Sequence, residues 1–147
     1  KNSTTAFAAT YTGVEGLSVS YGVGEAGSTT ANTAADVTTM KASYAIGSFT
    51  AAVSNTENDL TGTGTDEEMS SFKLSYTVTD DLSVSYGEDT HETSGSAVDE
   101  EFDAISVSYT TGGMTITAAQ YNATGLANTA GEANEAARWK LSTSFAF

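Results

Sequence analysis

The stretch Phe72-Lys73-Leu74-Ser75-Tyr76-Thr77-Val78-Thr79-Asp80-Asp81-Leu82-Ser83-Val84-Ser85-Tyr86-Gly87 decides the fold. Phe72, Leu74, Tyr76 and Val78 alternate with Lys73, Ser75 and Thr77. Beyond Thr79-Asp80-Asp81, Leu82, Val84 and Tyr86 alternate with Ser83 and Ser85. A period of two marks a strand with one apolar and one polar face, whereas a helix repeats every 3.6 residues. Asp at the break suits a tight turn, so these residues predict two antiparallel strands joined as a hairpin.

The same alternation runs from end to end. Apolar sets fall at Phe7, Ala9 and Tyr11; at Leu17, Val19, Tyr21 and Val23; and at Met40, Ala42, Tyr44 and Ile46. Others fall at Phe49, Ala51 and Val53; at Ile105, Val107 and Tyr109; at Met114, Ile116 and Ala118; and at Trp139, Leu141, Thr143, Phe145 and Phe147. With the two quoted strands this predicts nine, of which the Phe49 set is short and Ala-rich. Leu17-Ser18-Val19-Ser20-Tyr21-Gly22 recurs as Leu82 to Gly87, two hairpins later.

The predicted connections alternate in length. Short ones fall at Thr12–Gly16, Gly47–Ser48, Thr79–Asp81 and Thr110–Gly113. Long ones, rich in Gly, Thr, Asn and acid, span about Gly24–Asp36, Ser54–Glu68, Gly87–Glu101 and Asn122–Glu135. Strands thus run up and down with every long loop on one side, unlike the crossovers of a Greek-key sandwich.

Composition bounds the function. The 147 residues suit one domain, with 19 acids against 5 Lys/Arg and one His, a formal charge of −14. That charge argues against nucleic acid, which needs a basic patch. Zero Cys excludes disulfides, thiolate zinc sites and Cys nucleophiles. No apolar run approaches the ~18–20 residues of a membrane-spanning helix, a limit that does not apply to a membrane β-barrel. The chain opens at Lys1 with no Met and no apolar leader core, so we expect either that an export signal has been removed or that this is an internal piece.

Alternation alone leaves two architectures open. In a soluble β-domain the apolar face points inward; in a membrane barrel it meets lipid and the polar face lines the lumen. The polar face here is Ser, Thr, Ala and Gly rather than the Lys and Glu of a solvated surface. Sixteen of the 19 acids fall in or beside the predicted long connections. Aromatic residues at Tyr11, Tyr44, Phe49, Tyr76, Tyr109, Trp139, Phe145 and Phe147 are expected toward strand ends on the apolar parity, as interfacial girdles are. Both the charge and the rings favour the barrel.

The final run Trp139-Lys140-Leu141-Ser142-Thr143-Ser144-Phe145-Ala146-Phe147 resembles the terminal strand of Gram-negative outer-membrane barrels, a family that ends on Phe. The loop rhythm of the whole chain resembles the general porins, most like those of marine and other alphaproteobacteria. The resemblance implies an all-β transmembrane up-and-down barrel that forms a water-filled, cofactor-free, homotrimeric channel. It implies passive diffusion of small hydrophilic solutes and ions across the outer membrane, with lipid, lipopolysaccharide and the barrel-assembly machinery as partners. Trp139, Leu141, Phe145 and Phe147 would form the signal that machinery reads. Bacterial single-chain barrels have even strand numbers, so nine strands are expected to be the C-terminal part of a barrel of about 16.

Lys41, Lys73, Arg138 and Lys140 all share parity with the Ser/Thr face. In general porins basic residues on the barrel wall face an acidic loop across the constriction, and the resemblance gives these four that pore-lining role, with Arg138 and Lys140 expected nearer the upper rim. A soluble domain would place them at the same parity. Asp66-Glu67-Glu68 and Asp99-Glu100-Glu101 with Asp103 supply hard oxygens but lack the spacing of a calcium loop. His91 is expected in an exposed loop, and no Gly-x-Ser-x-Gly elbow accompanies it. Gly22-Val23-Gly24 is expected to open a loop and lacks the helix and Lys of a phosphate site. Asn2-Ser3-Thr4 and Asn122-Ala123-Thr124 match a glycosylation pattern of low specificity. Two further architectures stay open: a secreted soluble calcium-binding β-domain such as an adhesin or surface-layer module, and a complete eight-stranded outer-membrane barrel without a channel.

Overall fold

The computed structural model describes residues 4–26, 35–60, 64–131 and 134–146. They form nine strands: β1 (Thr4–Tyr11), β2 (Leu17–Ala26), β3 (Ala35–Ile46), β4 (Phe49–Leu60), β5 (Glu67–Thr79), β6 (Leu82–Thr93), β7 (Glu100–Thr111), β8 (Met114–Thr124) and β9 (Ala136–Phe145). All belong to one sheet in sequence order, each antiparallel to its neighbours. One irregularity interrupts the ladders, between Thr77 and Thr79 where β5 turns into β6.

The short turns close the hairpins tightly. Gly112 (φ 55) and Gly113 (φ 80) occupy the β7–β8 turn with the positive φ that a two-residue hairpin loop favours and only glycine adopts without strain. Each short turn also passes a carbonyl to the strand beyond it: Gly16 accepts from Ala45 N, Ser48 from Thr77 N, Asp81 from Thr110 N and Gly113 from Ala146 N, at 2.8–2.9 Å. Both copies of the internal repeat open strands that follow a short turn.

At the loop end the strands run further than the alternation predicts. The Phe49 strand is 12 residues long, not short. Gly22-Val23-Gly24 lies inside β2, His91 inside β6 and Asn122-Ala123-Thr124 inside β8, all outside any loop. Glu25, Asp36, Glu57, Asp59, Glu67, Glu68, Glu88, Asp89, Glu92, Glu100, Glu101 and Asp103 are all strand residues. The reason is physical. Above the apolar segment both faces carry mostly polar side chains, so backbone pairing continues while the hydrophobic contrast that marks a strand in sequence disappears.

The sheet has no second layer. Ala119 is the one buried apolar residue among those described, whereas Trp139 is 73%, Leu141 75% and Phe7 63% exposed. The accessible surface is 9864 Å²; a compact soluble chain of 15.1 kDa exposes about 7,100 Å². The rings are therefore not packed centrally between two sheets, which removes the soluble-sandwich architecture.

Candidate functional site

Pairing register sorts the side chains onto two faces. On the apolar face Leu17 opposes Tyr44, Val53 opposes Phe72, Leu74 opposes Tyr86 and Val84 opposes Val107. Near the turn end Phe49 and Tyr76 stack with ring centroids 4.4 Å apart. Trp139, Leu141 and Phe145 share this face on β9; Phe147 lies outside the described residues. Toward the loop end the same face becomes acidic. Glu25, Asp36 and Asp59 stand opposite one another on β2–β4, Glu57, Glu68 and Glu92 on β4–β6, and Glu88 opposes Asp103. Like charges directly opposite repel, and some are eased by amides: Asn55 donates to Glu68, and Asn122 Nδ2 donates to Asp103 Oδ2 at 2.9 Å. Among the described residues no three His, Asp or Glu side chains converge to hold a metal ion.

The opposite face is built of hydroxyls. Thr10–Ser20, Thr39–Thr56, Ser85–Ser106, Ser108–Thr117 and Thr110–Thr115 are bonded pairs at 2.8–3.2 Å, each between directly opposed residues. Such cross-strand pairs stabilise a sheet by roughly 0.2–1 kcal/mol each, and they make the face polar without adding charge.

Lys41, Lys73, Arg138 and Lys140 all stand on this face, exposed, as their parity predicts. Lys41 opposes Ser54 and Lys73 opposes Ala52, two residues along the same strand. These two lysines line one groove of about 370 Å³ with Ser18, Ser20, Ser43 and Ser54. Arg138 and Lys140 lie four strands away from Lys73 on β9. Lys140, opposite Ala119, is five residues from the turn end of β9 and so stands at mid-height rather than at a rim. Among the described residues His91 Nδ1 lies 3.3 Å from Glu100 Oε2, and no carboxylate lies within ion-pair distance of Lys41, Lys73, Arg138 or Lys140.

Arg138 sits over the ring of Tyr121, 5.2 Å from its centroid. Both line a recess of about 400 Å³ with Phe102 and Asp89. Sequence reasoning missed these three residues. The signal was available in parity: Phe102 and Tyr121 fall out of phase with Ile105-Val107-Tyr109 and Met114-Ile116-Ala118, which places both rings on the hydroxyl face once β7 and β8 are given their full lengths. His91, expected in a loop, lies within β6. In the structure its partner Glu100 also accepts from Ala127 N at 2.7 Å, tying the β8–β9 connection to β7. Ala127 (φ 58) and Asn128 (φ 53) there adopt left-handed backbone, and a Cβ on Gly125 would collide with the Asp99 carbonyl.

With this geometry the chain was compared with known proteins. No family model matches it, and no curated protein does. Solved structures do. An in-vitro folded OmpT, an outer membrane protein of Vibrio cholerae, superposes with a TM-score of 0.57 at 20% identity, covering 84% of this chain and 45% of that one. Outer-membrane expressed OmpT of Vibrio cholerae gives 0.58 at 22% identity, covering 84% and 46%. The fold is that of an outer-membrane β-barrel. This chain spans rather less than half the length of the solved chains it matches.

Proposed function

We propose that this chain is part of the wall of a porin in the bacterial outer membrane, a water-filled channel for passive diffusion of small hydrophilic solutes and ions. One observation carries the reading. A continuous face of large apolar side chains stays uncovered, while the reverse face holds hydroxyl pairs and every described Lys and Arg. In water the first face would drive aggregation; against acyl chains it is satisfied, and on that side a Lys or Arg near the midplane costs about 2–4 kcal/mol. On the wet side the same cations are solvated, and unpaired they attract anionic groups.

Strand lengths support the same reading. A tilted strand crosses the hydrocarbon in about 9–11 residues, and β3 to β7 have 12 or 13. The excess is the acidic loop end, which on this reading stands above the bilayer among lipopolysaccharide head groups. β1 and β9 each pair on one side alone. An open sheet edge is not tolerated in hydrocarbon, so closure calls for more strands, in a barrel of about 16, and we extend the proposal to a homotrimer. Trp139, Leu141 and Phe145, with Phe147, are proposed as the strand read by the barrel-assembly machinery. Reconstitution of the full-length protein in planar bilayers tests the function. Stepwise KCl conductance is the expected result; a folded, monomeric protein in detergent-free buffer overturns it.

A further inference from the structure

Of the thirteen aromatic side chains in the described residues, eleven stand on the apolar parity and two, Phe102 and Tyr121, on the hydroxyl face. Both of these line one recess. The same recess holds Arg138, poised over the Tyr121 ring, and Asp89, the strand carboxylate that lies deepest on the hydroxyl face. Neither charged group has an ion-pair partner among the described residues. Two rings, a cation and an anion have thus been collected on a face otherwise rich in small hydroxyls, with Lys73 opposite Gly87 at the β5 side of the recess. Between them lie Gly87 and Ala104, whose lack of bulk lets a solute approach the sheet.

We propose that this recess is a subsite for a short zwitterionic peptide with an apolar side chain; the inference rests on the channel reading above. Arg138 takes the carboxylate with the guanidinium edge left free by its stacking on Tyr121. The apolar side chain lies against Phe102 and Tyr121. The ammonium points toward Asp89. Spacing selects a peptide over a free amino acid. Asp89 and Arg138 are three strands apart and two residues offset, about 14 Å across the sheet and about 7 Å along it. The long Arg side chain and the shorter Asp shorten that gap toward the length of an extended di- or tripeptide, at most about 7–11 Å. A plain anion would meet Asp89 as a like charge, and a plain cation would meet Arg138.

The test uses the full-length protein in planar bilayers with alanylphenylalanine as probe. Saturable, probe-dependent interruptions of the KCl current are expected. Amidating the probe's carboxylate, or acetylating its amine, should weaken the effect more than ten-fold, and glycylglycine should be similarly weak. Arg138→Gln and Phe102→Ser, each checked for insertion by the appearance of KCl conductance steps of any size, should lose the response to alanylphenylalanine. Asp89→Asn should lose the preference for the free amine over the acetylated probe. Normal conductance with no interruptions, or equal interruption by the amidated probe, overturns the subsite and leaves the channel standing. No KCl conductance from the wild-type protein overturns both.

Discussion

Exchanging one charge between the two faces of a single strand separates a lipid-facing wall from any water-facing one. Leu74 and Ser75 are neighbours on β5, and their side chains point to opposite sides. Leu74 stands between Ala51 and Tyr86, Ser75 between Thr50 and Ser85. Leu74 lies four residues from Val78, the lowest apolar position on its strand. At about 3.4 Å per residue and a tilt near 40° that is about 10 Å above the turn-end boundary, close to the middle of an apolar band about 25 Å tall. Leu74→Lys should therefore cost about 2–4 kcal/mol, a shift of roughly 30- to 700-fold in the folding equilibrium. Ser75→Lys adds a wet-face cation two residues from Lys73 and should stay within about 0.5 kcal/mol. The assay is urea-dependent folding of full-length protein into lipid vesicles, followed by Trp139 fluorescence. Equal costs for the two variants, or a larger cost for Ser75→Lys, would refute the assignment of faces.

Lys41→Glu and Lys73→Glu should each move the reversal potential in a salt gradient toward cation preference. A unit charge felt at about 8 Å through screened water changes sign for about 0.4 kcal/mol, about two-fold for each ion in opposite directions and so about four-fold in the cation-to-anion permeability ratio per site. Unchanged potentials in both would remove these lysines from the conducting path. Glu100→Ala removes the acceptor of Ala127 N, worth about 1 kcal/mol; limited proteolysis within residues 125–131 should accelerate about five-fold while conductance persists. Gly112→Val forces a β-branched residue into positive φ, a cost of about 1–2 kcal/mol. Vesicle refolding should show that loss, whereas Thr111→Val, with ordinary backbone, should not.

The hairpins, their order and the two faces were legible because alternation is strong wherever one face is apolar. Phe72 to Tyr86 contains a complete hairpin with no ambiguity of period. The parity of Lys41, Lys73, Arg138 and Lys140 followed from the same counting, and the structure places all four on the face it predicts. The upper halves of the strands were not legible. In β4, Asn55, Glu57 and Asp59 continue the apolar parity of Phe49, Ala51 and Val53, but with the side chains of a loop. Ser/Thr on one face and Asp/Glu on the other are all polar, so the apolar–polar alternation vanishes although the ladder does not. The same loss hid Asp89, Phe102 and Tyr121, which stand just where the contrast fades. The His91–Glu100–Ala127 link joins residues far apart in sequence and left no local mark.

The sheet order carries a consequence for how the molecule assembles. Every strand bonds only to its immediate predecessor and successor, so each new ladder closes a short loop and costs little chain entropy. Growth can proceed as a zipper, with one hairpin templating the next, and contact order stays low for an all-β chain. Fidelity comes from the alternation itself: a slip of one residue at any ladder would turn greasy side chains to water and hydroxyls to hydrocarbon in every strand added afterwards. Errors of alignment are thus penalised at the step that makes them, before the next hairpin is laid down.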